Sequence, residues 1–193
     1  GGESDGWAED AVKAASNSSL RTVNMMEVLG DRAVEEEVVE GMQAEEEEAE
    51  ASAEGEEEPE YDEHVWLSLK NAQELVDAIA VQLADADSSH ASEYSANAAA
   101  YKAKLAELDG AYESAVNAAA KKTVVFADRF PFRYLVDDYN LGYYAAFVGC
   151  SAETEASFET IAFLAQKVDE LGLSNVLVIE NSDEAIAKTV IAN

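Results

Sequence analysis

Apolar residues recur every three or four positions in two stretches of the central part of the chain. The first stretch follows Ser68, whose side chain can cap a helix from about Leu69 to Ala86. The residues predicted to form its buried stripe are Ala72, Leu75, Ile79 and Leu83. The second stretch covers 93–122, and a helix of that length would reach about 45 Å, more than one small domain needs. The alternative is one arm of a helical hairpin or of a coiled coil. Nearer the N-terminus, alternation over 20–26 predicts a short strand.

Short apolar runs without polar alternation dominate the chain after Lys122. They predict strands at 123–126, 143–148 and 175–179. Helical patterns separate these runs at 132–139 and 155–171, with Phe158 facing inward, and a last helix follows Ser182. Strands of this kind, joined by helices, indicate a mainly parallel sheet covered on both faces. The predicted fold class is therefore α/β.

Acidic residues are concentrated in one part of the chain. The formal net charge is -29, and residues 35–63 contain sixteen acidic side chains but no lysine or arginine. Like charges at helical spacing repel, and few large apolar side chains are present to offset the entropy of ordering. We therefore expect residues 35–60 to form a disordered acidic loop. The charge argues against nucleic-acid and anionic-membrane partners, and it is consistent with attraction of metal cations or with simple solubility.

One histidine lies in a setting that suits a transition metal. His64 stands between carboxylates and a short apolar run in the segment Tyr61–Asn71, and a neutral imidazole is a good ligand for zinc or manganese. The alternative is an ordinary surface histidine. The second histidine, His90, lies among serines in a turn-like stretch, and we expect it to be exposed.

A second group of polar residues follows the predicted strands. Ligands of parallel sheets bind beyond the carboxyl ends of the strands, which is where Asp128, Cys150, Ser151 and Glu180 fall. Arg129 could instead hold the Asp128 carboxylate in a salt bridge, and Cys150, the single cysteine, could be a small buried residue. The sequence lacks a Gly-x-Ser-x-Gly hydrolase motif, a glycine-rich phosphate-binding loop, a His-Glu-x-x-His motif and a paired-cysteine metal motif. We therefore predict neither catalysis nor an organic cofactor.

The segment Asp62–Asn71 reads Asp-x-His-apolar-Trp-Leu-Ser-x-Lys-Asn, with Leu69 at a position where a proline is usual. It resembles the segment that carries one metal ligand in the zinc- and manganese-type solute-binding proteins of bacterial ABC importers. Three further segments resemble this family in the same order: Gly1–Trp7, Phe126–Leu135 and Gly149–Ser157. The resemblance covers nearly the whole chain except the acidic tract.

The resemblance implies two lobes joined by a long helix, with a partial first lobe and an incomplete parallel sheet in the second. The implied domains are a remnant of the N-terminal lobe at 1–34, the acidic loop at 35–60, a metal-ligand segment with its helix at 61–92, a linking helix at 93–122 and a truncated C-terminal lobe at 123–193. The remaining parts of both lobes are expected outside the given residues. The family has a His or Glu ligand near Ala127-Asp128-Arg129, so Asp128 is the expected replacement.

The function implied by the resemblance is capture of a divalent transition metal, zinc or else manganese, for delivery to a membrane ABC permease. His64 and Asp128 are the expected metal ligands. The implied protein is an extracytoplasmic monomer, lipid-anchored at the surface of a Gram-positive bacterium, without enzymatic activity. The alternative is a non-catalytic acidic module that binds cationic partners or calcium weakly through the glutamate tract. A third possibility is an α/β enzyme with a site built from scattered residues.

Overall fold

The computed structural model describes residues 6–43, 61–149, 151 and 155–192. These residues form two compact units. The first unit takes the described residues within Gly1–Glu35 and Glu60–Ala118, and the second takes those within Glu36–Pro59 and Ala119–Asn193. Each unit is therefore built from two separate stretches of sequence. Among the helices of the described residues, none combines the length and the apolar character needed to cross a bilayer.

The N-terminal part of the first unit is helical. Helix α1 covers Gly6–Ala14 and helix α2 covers Met25–Leu29. The side-chain oxygen of Asn24 accepts hydrogen bonds from the backbone N–H groups of Met26 and Glu27, at 3.1 and 3.4 Å. The strand predicted over 20–26 is therefore wrong, because a side-chain cap starts a helix where the apolar alternation was short.

Two long helices form most of the first unit. Helix α3 covers Leu69–Ala86 and helix α4 covers Ala91–Ala118. The Ser68 Oγ accepts a hydrogen bond from the Asn71 N–H at 3.0 Å, which satisfies a donor of the first turn of α3. The capped helix predicted after Ser68 is confirmed at both ends. The long helix is also confirmed, although it ends before the two lysines that the pattern included.

The predicted apolar stripe on α3 is only partly buried. Leu75 is 3% exposed, whereas Ile79 and Leu83 are 37% and 44% exposed. Within the described part of the chain, α3 packs mainly against α4, and an apolar groove of about 320 Å³ remains between them beside Ile79 and Leu83. The prediction is wrong at these two positions, because the groove between α3 and α4 stays open beside them.

The centre of the second unit is a pair of parallel strands. Strand β1 covers Thr123–Phe130, strand β2 covers Gly142–Val148, and the short helix α5, Arg133–Asp138, connects them. The α/β class predicted from the sequence is confirmed. The pairing is irregular in one place: Phe126 lies opposite Ala145, but Arg129 lies opposite Phe147. Three steps along β1 match two steps along β2, so β1 carries a β-bulge at Ala127-Asp128.

Single bridges extend this sheet on both sides. Leu177 pairs in parallel with Phe126 beside β1, and Gln43 pairs in parallel with Phe147 beside β2. The strand predicted at 175–179 is thus reduced to one paired residue. The bulge in β1 follows directly after Phe126 and disturbs the ladder on which a longer pairing would depend.

The start of the acidic segment is part of the second unit. Met42 is buried in an apolar cluster with Phe126 and Phe130, and the Gln43 N–H donates to the Ala146 carbonyl at 2.9 Å. Glu37 forms an ion pair with Arg133. For these residues the structure differs from the expected disordered loop, because the apolar residues between the glutamates reach the core. The rest of the tract, 44–60, lies outside the described residues.

Two helices cover the other face of the sheet. Helix α6, Phe158–Leu171, starts at the Ser157 cap and ends at Gly172 in the left-handed conformation. Helix α7 covers Ala185–Ala192. Leu164 of α6 is 0% exposed in the cluster that joins both helices to the strands, whereas Phe158 is 83% exposed. The inward placement predicted for Phe158 is wrong, because this residue belongs to the first turn, beyond the edge of the core.

Candidate metal centre

The first candidate ligand is held by its own short loop. The Asp62 N–H donates to the Val34 carbonyl at 3.0 Å, and Tyr61 pairs with Glu35, so the chain before His64 is fixed to the rest of the first unit. A 3-10 turn at Val65–Leu67 follows His64, and its Val65 is buried. The position of the imidazole is therefore set on both sides by backbone contacts.

The Asp62 carboxylate contacts the histidine twice. Its Oδ1 accepts a hydrogen bond from the His64 backbone N–H at 2.7 Å and lies 3.1 Å from the His64 Nδ1. The two side chains are 2% and 17% exposed, so water competes little for these bonds. A carboxylate beside Nδ1 stabilises the tautomer with the proton on Nδ1, which leaves the lone pair of Nε2 for a metal. Asp62 thus fixes the orientation of the His64 imidazole.

Trp66 borders this pair on the solvent side. Its ring centroid lies 5.7 Å from that of His64, and about half of its side chain is exposed. We expect the fluorescence of an indole this close to an imidazole to change when the imidazole binds a cation or moves. Trp66 is therefore a natural reporter of events at His64.

The second candidate ligand lies at the bulge of β1. Asp128 is 8% exposed, and its Oδ1 accepts a hydrogen bond from the Arg129 N–H at 2.8 Å. Its Oδ2 is shielded from solvent and has no hydrogen-bond partner among the described residues. A buried carboxylate oxygen without a donor is costly, so this atom is suited to receive a cation or a donor from a ligand.

Arg129 does not neutralise this carboxylate. Its Nη1 donates to the Ser151 carbonyl at 3.3 Å, and within the part of the chain that the structure describes it forms no ion pair with Asp128. The alternative of a salt bridge between the two neighbours is therefore not what the structure shows. The bond to Ser151 also draws the end of β2 toward β1, as expected for residues at the carboxyl edge of a parallel sheet.

A cavity of about 240 Å³ adjoins Asp128 in the second unit. Its polar lining includes Arg129 of β1 and three residues of the loop before α7, Asn181, Ser182 and Asp183. Asn181 and Asp183 carry no recognisable motif in the sequence, although residues after the third apolar run are expected at this edge. Of the other residues expected at this edge, Glu180 does not line the cavity, and Cys150 lies outside the described residues.

A complete metal shell is not assembled by the described residues. Among them, no group of three or more His, Cys, Asp or Glu side chains could hold a metal ion together. His64 and Asp128 lie in different units, and each is characterised by its own surroundings: an oriented imidazole in the first and an unsatisfied carboxylate oxygen in the second. Their assignment as ligands remains a prediction.

A histidine oriented by a carboxylate is an arrangement that metal-binding proteins use. The family described as "ZnuA: Zinc-uptake complex component A periplasmic" matches residues 1–193. The match covers the whole chain, and the chain belongs to this family. The resemblance stated from the four sequence segments is thereby confirmed.

Curated relatives match the larger part of the chain. The zinc-binding protein AdcA of Streptococcus pyogenes serotype M1 is 34% identical over 130 residues, which cover 67% of this chain and 25% of that protein. The zinc-binding lipoprotein AdcA of Streptococcus pneumoniae (strain ATCC BAA-255 / R6) is 34% identical over 131 residues, covering 68% and 26%. The chain thus spans about a quarter of the length of these relatives.

Solved structures agree with the fold. Zn(II)-bound AdcA from Streptococcus pneumoniae is similar with a TM-score of 0.55 at 34% identity, over 68% of this chain and 28% of that one. A Zn(II)-bound mutant variant of AdcAII from the same species has a TM-score of 0.69 at 24% identity, over 98% of this chain and 64% of that one. The second likeness supports the fold alone, and it extends over nearly all of the chain.

Proposed function

We propose that this chain is part of the extracytoplasmic solute-binding component of an ABC importer. The component captures a divalent transition metal, zinc in the first place and manganese in the second, and delivers it to a membrane permease. Two facts support this: the chain belongs to the zinc-uptake component family, and curated relatives at 34% identity are named zinc-binding. The role is binding and delivery rather than catalysis, and it needs no organic cofactor.

The observation that carries the proposal is the Asp62–His64 pair. His64 donates Nε2 to the metal, since Asp62 holds the proton on Nδ1. Asp128 supplies an oxygen ligand through its unsatisfied Oδ2. Zinc accepts nitrogen and carboxylate oxygen ligands at about 2.0–2.2 Å, usually four in a tight site. The other ligands of a tight site therefore come from residues beyond these two.

The cellular setting is proposed on the same basis. The relatives in Streptococcus pneumoniae are named lipoproteins, which supports a lipid anchor at the cell surface of a Gram-positive bacterium. A monomer is proposed because one metal site and one permease contact do not require a second copy. Metabolic labelling of the protein with palmitate tests the anchor, and its mass in light scattering tests the monomer.

Calorimetric titration of the metal-free, full-length protein with zinc is the direct test. We expect His64→Ala to weaken zinc binding by about a hundredfold or more, because a zinc site of four ligands loses one. His90→Ala is the matched control, because His90 also has a carboxylate on Nδ1, Asp87 at 2.6 Å, but lies exposed at a helix turn. Equal zinc affinity in His64→Ala and the wild type would remove His64 from the site.

Asp128 is tested separately in the same assay. We expect Asp128→Asn to weaken zinc binding, and we expect the exposed Asp169→Asn to leave it unchanged. The acidic tract provides the competing function, a weak cation-binding or partner-binding module. Deletion of 45–58 separates the two functions: zinc affinity that survives the deletion belongs to the metal site, whereas affinity lost with the tract would favour the competing function.

A further inference from the structure

The cavity beside the bulge of β1 has the size of a small organic ligand. Its volume of about 240 Å³ corresponds to roughly eight water molecules at ~30 Å³ each. It lies at the carboxyl ends of two parallel strands, the position at which open α/β sheets bind ligands. A bare metal ion would leave most of this space unfilled.

Asp128 and Arg129, which carry opposite charges, border the cavity without forming an ion pair with each other. A third charged residue of the lining, Asp183, is exposed, and its Oδ1 accepts a hydrogen bond from the Ala185 N–H at 2.9 Å. In a regular strand neighbouring side chains point to opposite faces, but the bulge at Ala127-Asp128 allows both Asp128 and Arg129 to line one cavity. The Asp128 Oδ2 accepts no hydrogen bond from the described residues. The guanidinium of Arg129 donates one hydrogen bond to the Ser151 carbonyl. The cavity therefore offers a carboxylate for a cationic group and a guanidinium for an anionic one.

We infer that this cavity binds a small α-amino acid. The ammonium group of the ligand pairs with Asp128, and its carboxylate pairs with Arg129, which has the planar donors that suit a carboxylate. Asn181 and Ser182 supply further polar groups at the rim, and Phe147 and Ile186 give an apolar wall for a short side chain. A free acid or a free amine would pair with only one member of the Asp128–Arg129 pair.

This inference does not depend on zinc binding. All of its residues lie in the second unit, whereas His64 lies in the first. It does give Asp128 a second use, because an oxygen that binds a ligand ammonium is not available to a metal. Zinc and the amino acid are therefore expected to compete if Asp128 is also a metal ligand.

Titration calorimetry on the full-length protein, treated with a chelator, tests the site. The probes are glycine, L-alanine, L-serine and L-histidine, with acetate and ethylammonium as compounds that carry one charge each. We expect saturable binding of at least one amino acid and none of either single-charge compound. Arg129→Gln and Asp128→Asn should each weaken binding of the amino acid by about tenfold or more, which is the loss expected when a charge-assisted hydrogen bond is removed.

Arg133→Gln is the control, because Arg133 also lies in the second unit but is bound to Glu37 and Asp137, away from the cavity. Its amino-acid affinity should equal that of the wild type. If Asp128→Asn does not fold, the affinity of Arg129→Gln and the titrations with acetate and ethylammonium still test the inference. Absence of saturable amino-acid binding, or equal binding of acetate, overturns the inference. A zinc titration of the wild type in the same instrument judges the proposed function independently.

Discussion

Asp62 should control zinc affinity although it is not expected to touch the metal. Its Oδ1 lies 3.1 Å from the Nδ1 of His64, and its side chain is 2% exposed, so the charge of the carboxylate is little screened. Carboxylates that support a metal-binding histidine typically contribute 10–100-fold to affinity, about 1.4–2.7 kcal/mol. Loss of Asp62 should therefore weaken zinc binding by that factor while His64 stays in place.

Two substitutions separate the charge from the hydrogen bond. Asp62→Asn keeps an acceptor oxygen and loses the charge. The contribution of the hydrogen bond to binding should therefore fall from about 1.5–3 kcal/mol to about 0.5–1.5 kcal/mol. This difference corresponds to a loss of about fivefold to tenfold in zinc affinity. Asp62→Ala removes the acceptor as well and should approach the hundredfold limit. Competition with a chromophoric zinc chelator measures both, and Trp66, beside the imidazole, reports binding by its fluorescence.

The control is the other Asp–His pair of the first unit. Asp87→Asn alters an exposed pair of the same chemistry and should leave zinc affinity unchanged. Nitrogen NMR of the His64 ring adds a structural measurement: the wild type should carry its proton on Nδ1, and Asp62→Ala should shift it toward Nε2. If Asp62→Ala retained wild-type zinc affinity and tautomer while His64→Ala lost zinc binding, the reasoning about Asp62 would be refuted.

Four further predictions concern stability. Ser68→Ala should lower the free energy of unfolding by about 1 kcal/mol in urea denaturation, because it removes the cap of α3, whereas the exposed Ser92→Ala should not. Leu164→Ala should cost about 2–5 kcal/mol, and Phe158→Ala, on the same helix but exposed, should cost almost nothing. Gly41→Ala should destabilise by about 1–3 kcal/mol in the same assay, since Gly41 has φ +81° and a Cβ there would collide with the Phe163 ring. Hydrogen bonds from Ser89 and then His90 lower the pKa of Asp87. The stability that Asp87 contributes is therefore complete above the ordinary aspartate pKa and is lost as the pH falls through the lowered pKa. In that acidic range the melting temperature of Asp87→Asn should depend less on pH than that of the wild type.

Local signals predicted the helices of this chain well. Ser68 starts α3 and the left-handed Gly172 ends α6 at the predicted places, because a cap or a glycine acts within one turn. The prediction of a strand at 20–26 is wrong because another local cap was overlooked: Asn24 caps a helix that the apolar alternation did not indicate.

Features that depend on distant residues were not predictable from the pattern. Ile79 and Leu83 repeat like core positions, and only the identity of the facing helix decides that they stay exposed. The bulge at Ala127-Asp128 exists only relative to the pairing with β2. For the site, the sequence selected His64 and Asp128 as candidates, but the support of the imidazole by Asp62 required coordinates.

The seating of Met42 and Gln43 has a consequence for how the protein can be divided. A polypeptide that begins at residue 119 would lack the Met42 side chain from the cluster around Phe126 and the backbone partner of Phe147. Such a piece would present a bare sheet edge and tend to self-associate. A peptide of residues 36–43 supplied in trans should complement it, in the manner of a split protein.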